Sequence, residues 1–186
     1  MPGKLVYGVG INDLSGCSNT DAYHKWSSMI QRCYDAKWRA KFPTYQNCFV
    51  KPEWLYFSNF KNWFDGQRFE IGWQLDKDLL ISGNTMYGPD SCILVPRWVN
   101  ILVTDSLAKR GVLPIGVSYH KGSGKYQAQL KKDGIKNHLG YFNNPEDAYL
   151  IWMRNKLDYV ADKKKSLDAI DKRLYHRIVE IIKEQR

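Results

Sequence analysis

Residues 114–142 read PIGVSYHKGSGKYQAQLKKDGIKNHLGYF, and the fold of the chain is decided there. Three short runs of alternating residues are separated by Lys121-Gly122-Ser123-Gly124 and by Asp133-Gly134. Turn residues of this kind between β-forming runs are a strong hairpin signal, so the stretch predicts three antiparallel strands. Side chains alternate along a strand. In the second run Tyr126, Ala128 and Leu130 therefore share one face, and Gln127, Gln129 and Lys131 the other. The same period sends Val117, Tyr119 and Leu139 inward, and Ser118, His120, Lys136 and His138 outward. A helix start follows at once, with Asn144 as cap, Pro145 at the first helical position and Glu146-Asp147 in the first turn. A helix over 145–161 presenting Ala148, Ile151, Trp152 and Tyr159 would cover the inner face, as a small sheet requires.

The outer face would carry Lys, Gln, His and Ser and no carboxylate. A lysine-rich strand face is ordinarily just solvated. Here residues 115–142 hold five lysines and one acidic residue, together with amide and imidazole groups. That combination suits a strand laid in the major groove of DNA, where Gln pairs with adenine, and Lys or protonated His with guanine or phosphate.

The charge of the whole chain points the same way. Of the net +9, almost all lies in residues 106–186, which hold 17 Lys+Arg against 9 Asp+Glu; residues 1–105 hold 11 and 10. A basic half points to nucleic acid more readily than to membrane. No apolar run approaches ~20 residues and no charged-then-apolar leader opens the chain, so a soluble, cytoplasmic protein is expected. Cys17, Cys33, Cys48 and Cys92 show no CxxC pairing, and reduced thiols are the expectation.

The run GV…GKYQAQL…HLGYF…PEDAYLIW, over about 114–161, resembles the AP2 DNA-binding domain. That family's pattern is a Gly-Val, a Gly-Lys-aromatic, a Leu-Gly-x-Phe and an acidic-Ala helix. The resemblance implies a three-stranded sheet on a helix, with DNA contacts from outward strand residues. On this sequence those are Ser118, His120, Gln129, Lys131, Lys136 and His138, with Lys121 and Lys125 at the first turn beside them. Plant members of the family use Arg and Trp at most of these places, where this chain has Ser, His, Gln and Lys.

Upstream, Gly8-Val9-Gly10 is a bare GxG without a third glycine, which does not make a dinucleotide site. Residues 1–20 read as an arm or loop. Tyr23, Trp26, Ile30 and Cys33 form a helical stripe from Asp21, with Thr20 able to cap it. Trp54, Phe57, Phe60 and Phe64 form a second stripe after Pro52; both read as core. Residues 73–100, WQLDKDLLISGNTMYGPDSCILVPRWVN, predict a strand over Leu75–Leu80, a Gly/Asn loop, a strand over Cys92–Val95 and a helix from about Arg97. With YHKWSSMIQRCY and EWLYFSNFKNWF, this segment resembles a phage-borne module often fused ahead of AP2 domains and similar to HNH (ββα-metal) nucleases. The resemblance places the site of that family on Asp76, Lys77 and Asp78, with Asp76 as the residue that would hold Mg²⁺ and the family's Asn near Ser91. An HNH site uses a base, almost always His, to activate water. Lys77 makes a poor base between two carboxylates that push its pKa up. An ion-paired turn in a retired nuclease fold is therefore the preferred reading.

The expected fold class is α+β. It comprises a degenerate HNH-like module over 1–104, a linker over 105–113 with Lys109-Arg110 suited to a phosphate, and an AP2-like domain over 114–162. A C-terminal amphipathic helix over 163–186 completes the chain, striped by Leu167, Ile170, Leu174, Ile178 and Ile181. Lys163-Lys164-Lys165 would close the domain's helix with cations available to a DNA backbone. The function these readings imply is double-stranded DNA binding of phage type, without catalysis. The alternatives are an HNH-type homing endonuclease using a divalent metal, and a phage protein that inhibits a host factor.

Overall fold

The computed structural model describes residues 5–105 and 111–185, so Lys109-Arg110 falls outside the described residues. The fold is α+β and divides into two compact units, 1–97 and 98–186.

In the first unit, α1 (Asp21–Tyr34) starts where the Thr20 hydroxyl accepts the Tyr23 N–H at 3.3 Å. A short α2 (Ala36–Lys41) is capped in the same way by Asp35. The aromatic stripe of α3 (Phe57–Asp65) packs on α1, with the rings of Trp26 and Phe57 5.3 Å apart. The Trp26 indole N–H, wholly buried, donates to the Trp54 carbonyl at 2.7 Å, so this aromatic core leaves that polar atom satisfied. Gly8-Val9-Gly10 lies in a tight turn closed by a bridge between Val6 and Gly10. Two short ladders complete the unit. β1 (Phe49–Val50) pairs in parallel with β3 (Met86–Tyr87), and β2 (Gln74–Asp76) pairs antiparallel with β4 (Ile93–Val95). The strand expected to run to Leu80 stops at Asp76. Its carboxylate accepts the N–H groups of Asp78 and Leu79, at 2.8 and 2.7 Å, and turns the chain.

The second unit opens with α4 (Arg97–Val103), which the sequence boundary at 104 had assigned to the first module. Gln185 near the C-terminus donates to the Val103 carbonyl at 2.6 Å, which ties this helix to its own unit. The sheet follows as β5 (Val117–His120), β6 (Lys125–Lys132) and β7 (Ile135–Phe142), all antiparallel in that order. Asp133 and Gly134 both adopt positive φ (45° and 87°), the requirement of a two-residue I′ hairpin turn between Lys132 and Ile135. Helix α5 (Pro145–Asp162), capped by Asn144, covers one face through Ala148, Tyr149 and Trp152, which pack with Val117, Ala128 and Leu130. Ile151, expected in that set, is only partly buried. Gly116 has φ +76°, and a Cβ there would lie 2.0 Å from the Trp152 ring, so only glycine lets the chain pass beneath that indole.

Beyond α5 the expected single C-terminal helix is two helices, α6 (Lys164–Ile170) and α7 (Leu174–Glu184). Asp171 breaks the run: it is extended, and its carboxylate accepts the Arg173 N–H at 2.8 Å and binds the Arg173 guanidinium. The break rotates the stripe, so the fully buried residues are Leu167, Leu174, Ile178 and Ile182, with Ile182 in place of Ile181. They pack at the contacts of α6 and α7 with α5 and with each other.

Candidate nucleic-acid interface

The uncovered face of β5–β6–β7 is assembled by register. Cross-strand partners place Ser118 opposite Gln127, His120 opposite Lys125, Gln129 opposite His138 and Lys131 opposite Lys136. Ser118, His120, Lys125, Lys131, Lys136 and His138 are exposed, Gln129 is partly buried, and Lys121 is exposed in the β5–β6 turn. All eight residues predicted for DNA contact thus lie on this face or at its edge. Two lysines directly opposite one another repel, which is unfavourable until an anion lies between them. A depression of about 420 Å³ opens beside that pair, where β5 begins, and Ser118, Gln129, Lys131 and Lys136 all line it.

Along β6 the pairing shifts between Ala128 and Gln129, because β7 carries an extra residue at Leu139. Leu139 and Phe142 pack inward, while the bulge returns both His138 and Tyr141 to the open face. The Tyr141 ring centre lies 4.6 Å from that of His138 and 5.1 Å from that of His120, forming a row of three rings. Gln127 lies 2.8 Å from Nδ1 of His138. The Ser123 N–H donates to Nδ1 of His120 at 3.2 Å, and the Ser123 hydroxyl lies 3.0 Å from the same nitrogen. Tyr141 was missed in the sequence because strict alternation with His138 puts it inside. Tyr119, expected inward, is 52% exposed, lying near the free end of the sheet with its ring against Tyr126.

The one acidic residue of the hairpins, Asp133, is turned away from this face. Its Oδ1 accepts the Tyr159 hydroxyl at 2.8 Å and the Lys163 ammonium at 2.9 Å. The hydrogen bond from Lys163, then that from Tyr159, holds the Asp133 carboxyl below its usual value. Lys163, expected to be free for a DNA backbone, instead pins the hairpin tip to the end of α5. Lys164 is paired with Asp168.

The second predicted site, Asp76-Lys77-Asp78, is built differently. Lys77 is buried, with its ammonium on Asp78 at 2.5 Å and on the Asn84 carbonyl at 2.7 Å. Asn84 in turn donates to the carbonyls of Lys77 and Met86, and the buried Ser91 hydroxyl also donates to Met86. Burial works against the Lys77 charge, but the hydrogen bond and charge of Asp78 outweigh it, so its pKa is raised. A lysine held cationic in this way cannot act as a general base. Burial also raises the Asp76 carboxyl, despite the backbone N–H groups it accepts. The residues here do not fit a catalytic Mg²⁺. One Asp76 oxygen is taken up by backbone donors, Asp78 holds an ammonium, and no group of three His, Cys, Asp or Glu converges among the described residues.

The four cysteines are unpaired, and burial pushes the Cys33 and Cys92 thiols up to about 12. No helix among the described residues is long and apolar enough to cross a membrane. In comparisons with known proteins, no family model, no curated protein and no solved structure matches the chain.

Proposed function

We propose that the second unit binds double-stranded DNA by laying the open face of β5–β6–β7 into the major groove, in the manner of the AP2-like reading of its sequence. The observation that carries this is the register. It sets Ser118, His120, Gln129, Lys131, Lys136 and His138 on one face, with two lysines opposed and the nearby carboxylate drawn off to α5. Dimensions agree: three strands spaced by about 4.8 Å span roughly 10 Å between outer strand axes, against a major groove about 12 Å wide. Lys131 and Lys136 would neutralise phosphates, while the Gln129 amide offers the donor and acceptor that match adenine. Nothing in the arrangement favours cleavage or capture of a host protein over this reading.

The test is a duplex-binding titration over a range of salt. Binding should weaken steeply as salt rises, and Lys131→Ala or Lys136→Ala should each lower the log–log salt slope by about one. Gln129→Ala should instead change base preference and leave the slope alone. Absence of duplex binding at low salt, or lysine variants that bind like the parent, would overturn the proposal.

A further inference from the structure

On the helix side of the same unit lies a second cavity of about 430 Å³, within the roughly 300–1,000 Å³ typical of small-ligand pockets. Its walls are apolar: Trp98 and Leu102 from α4, Leu130 from β6, and Trp152 and Tyr159 from α5, with Ile101 exposed at the rim. Lys156 also lines it. The residue is only 7% exposed, and its ammonium has no hydrogen-bond or ion-pair partner among the described residues. Asp133, which also lines the cavity, is held by Tyr159 and Lys163 instead.

An ammonium carried by a largely buried side chain and given no protein partner is costly, and folding gains nothing from it. Burial alone depresses the pKa of Lys156 to about 8. Polar groups that weaken a fold in this way are characteristic of functional sites, where stability is given up for binding.

We infer that this cavity binds a compact apolar carboxylate, its aromatic or branched body against Trp98, Trp152 and Leu130 and its carboxylate on the Lys156 ammonium. The charge count selects the class. Of the two lysines that line the cavity, Lys131 is exposed at its edge, and Lys156 alone presents its charge among the apolar walls, which suits a single negative charge. A neutral ligand of the same shape would complete the desolvation of Lys156 without compensating it. The cavity shares Lys131 with the proposed DNA face, but the carboxylate site does not depend on that reading.

The experiment uses the full chain, titrated with 2-naphthoate and, separately, with its uncharged analogue 2-naphthylmethanol, following the indole N–H resonances of the tryptophans by NMR. The acid should bind at least tenfold more tightly than the alcohol and shift the Trp98 and Trp152 signals. Lys156→Met, which leaves an apolar chain of similar length, should bring the two affinities to within about twofold. Lys156→Gln should do the same, and thermal unfolding confirms that both variants are folded. Lys172→Met, at an exposed lysine outside the cavity, should keep the preference. The inference is overturned if neither probe shifts those indoles, if acid and alcohol bind equally to the parent, or if the preference survives in both Lys156 variants.

Discussion

Two lysines are buried among the described residues, and they are of opposite character. Lys77 in the first unit and Lys156 in the second are each 7% exposed. Lys77 is met by a carboxylate and a carbonyl, and its pKa is raised; Lys156 is met by neither, and its pKa falls to about 8. Burial is the leading influence on both, so the partner decides the direction. The comparison separates a lysine that closes a loop from one that leaves a charge unspent in a cavity.

The difference is broken most severely at Gly116. Gly116→Ala would drive a Cβ into the Trp152 ring at a φ that alanine adopts poorly, with an expected loss of about 4 kcal/mol in urea unfolding. Whatever native state survived would have the indole displaced and water admitted beside Lys156.

Replacing each lysine by methionine sharpens the contrast, because the two changes should have opposite signs. Lys156→Met should stabilise the chain by about 3 kcal/mol at pH 7, read as a higher urea midpoint, since each pKa unit of depression corresponds to about 1.4 kcal/mol. Lys77→Met should destabilise it by about 2 kcal/mol, leaving the Asn84 carbonyl without its donor. A loss of stability in Lys156→Met would show that the cavity's cation has a partner in solution.

The pH dependence follows the same logic. Between about 8 and the ordinary lysine value of 10.5, the native state holds fewer protons at Lys156 than the unfolded chain. Stability from this group therefore rises with pH across that window, and the gain from Lys156→Met fades over it. At Lys77 the folded pKa is the higher one, so its contribution is complete below 10.5 and is lost as pH climbs through the folded value. Unfolding midpoints for the parent and both variants at pH 7 and pH 10 separate the two slopes.

The hairpins and the start of α5 were legible in the sequence because their determinants are local: Asp133-Gly134 for the turn, alternation for the faces, and Asn144-Pro145 for the cap. What escaped depends on partners distant in the chain. The position of the extra residue in β7 is set by pairing with β6, so Tyr141 could not be assigned to the open face. Nothing in the sequence marks Lys156 as buried, because α5 buries residues against both the sheet and α7 and shows no simple polar face. The break at Asp171 was hidden by an apolar spacing that continues smoothly from Leu167 to Ile181. At Asp76-Lys77-Asp78 the ion pair was legible from adjacency; the role of Asn84, seven residues on, was not.

The extra residue in β7 gives that strand a reading frame. Ahead of Leu139, even-numbered positions look outward; past Gly140, odd-numbered ones do. A one-codon deletion there would turn the segment on its far side inside out, seating the Tyr141 phenol against α5 and casting the Phe142 ring into solvent. β7 cannot lose a residue without exchanging the side it shows to the core for the side it shows to a partner.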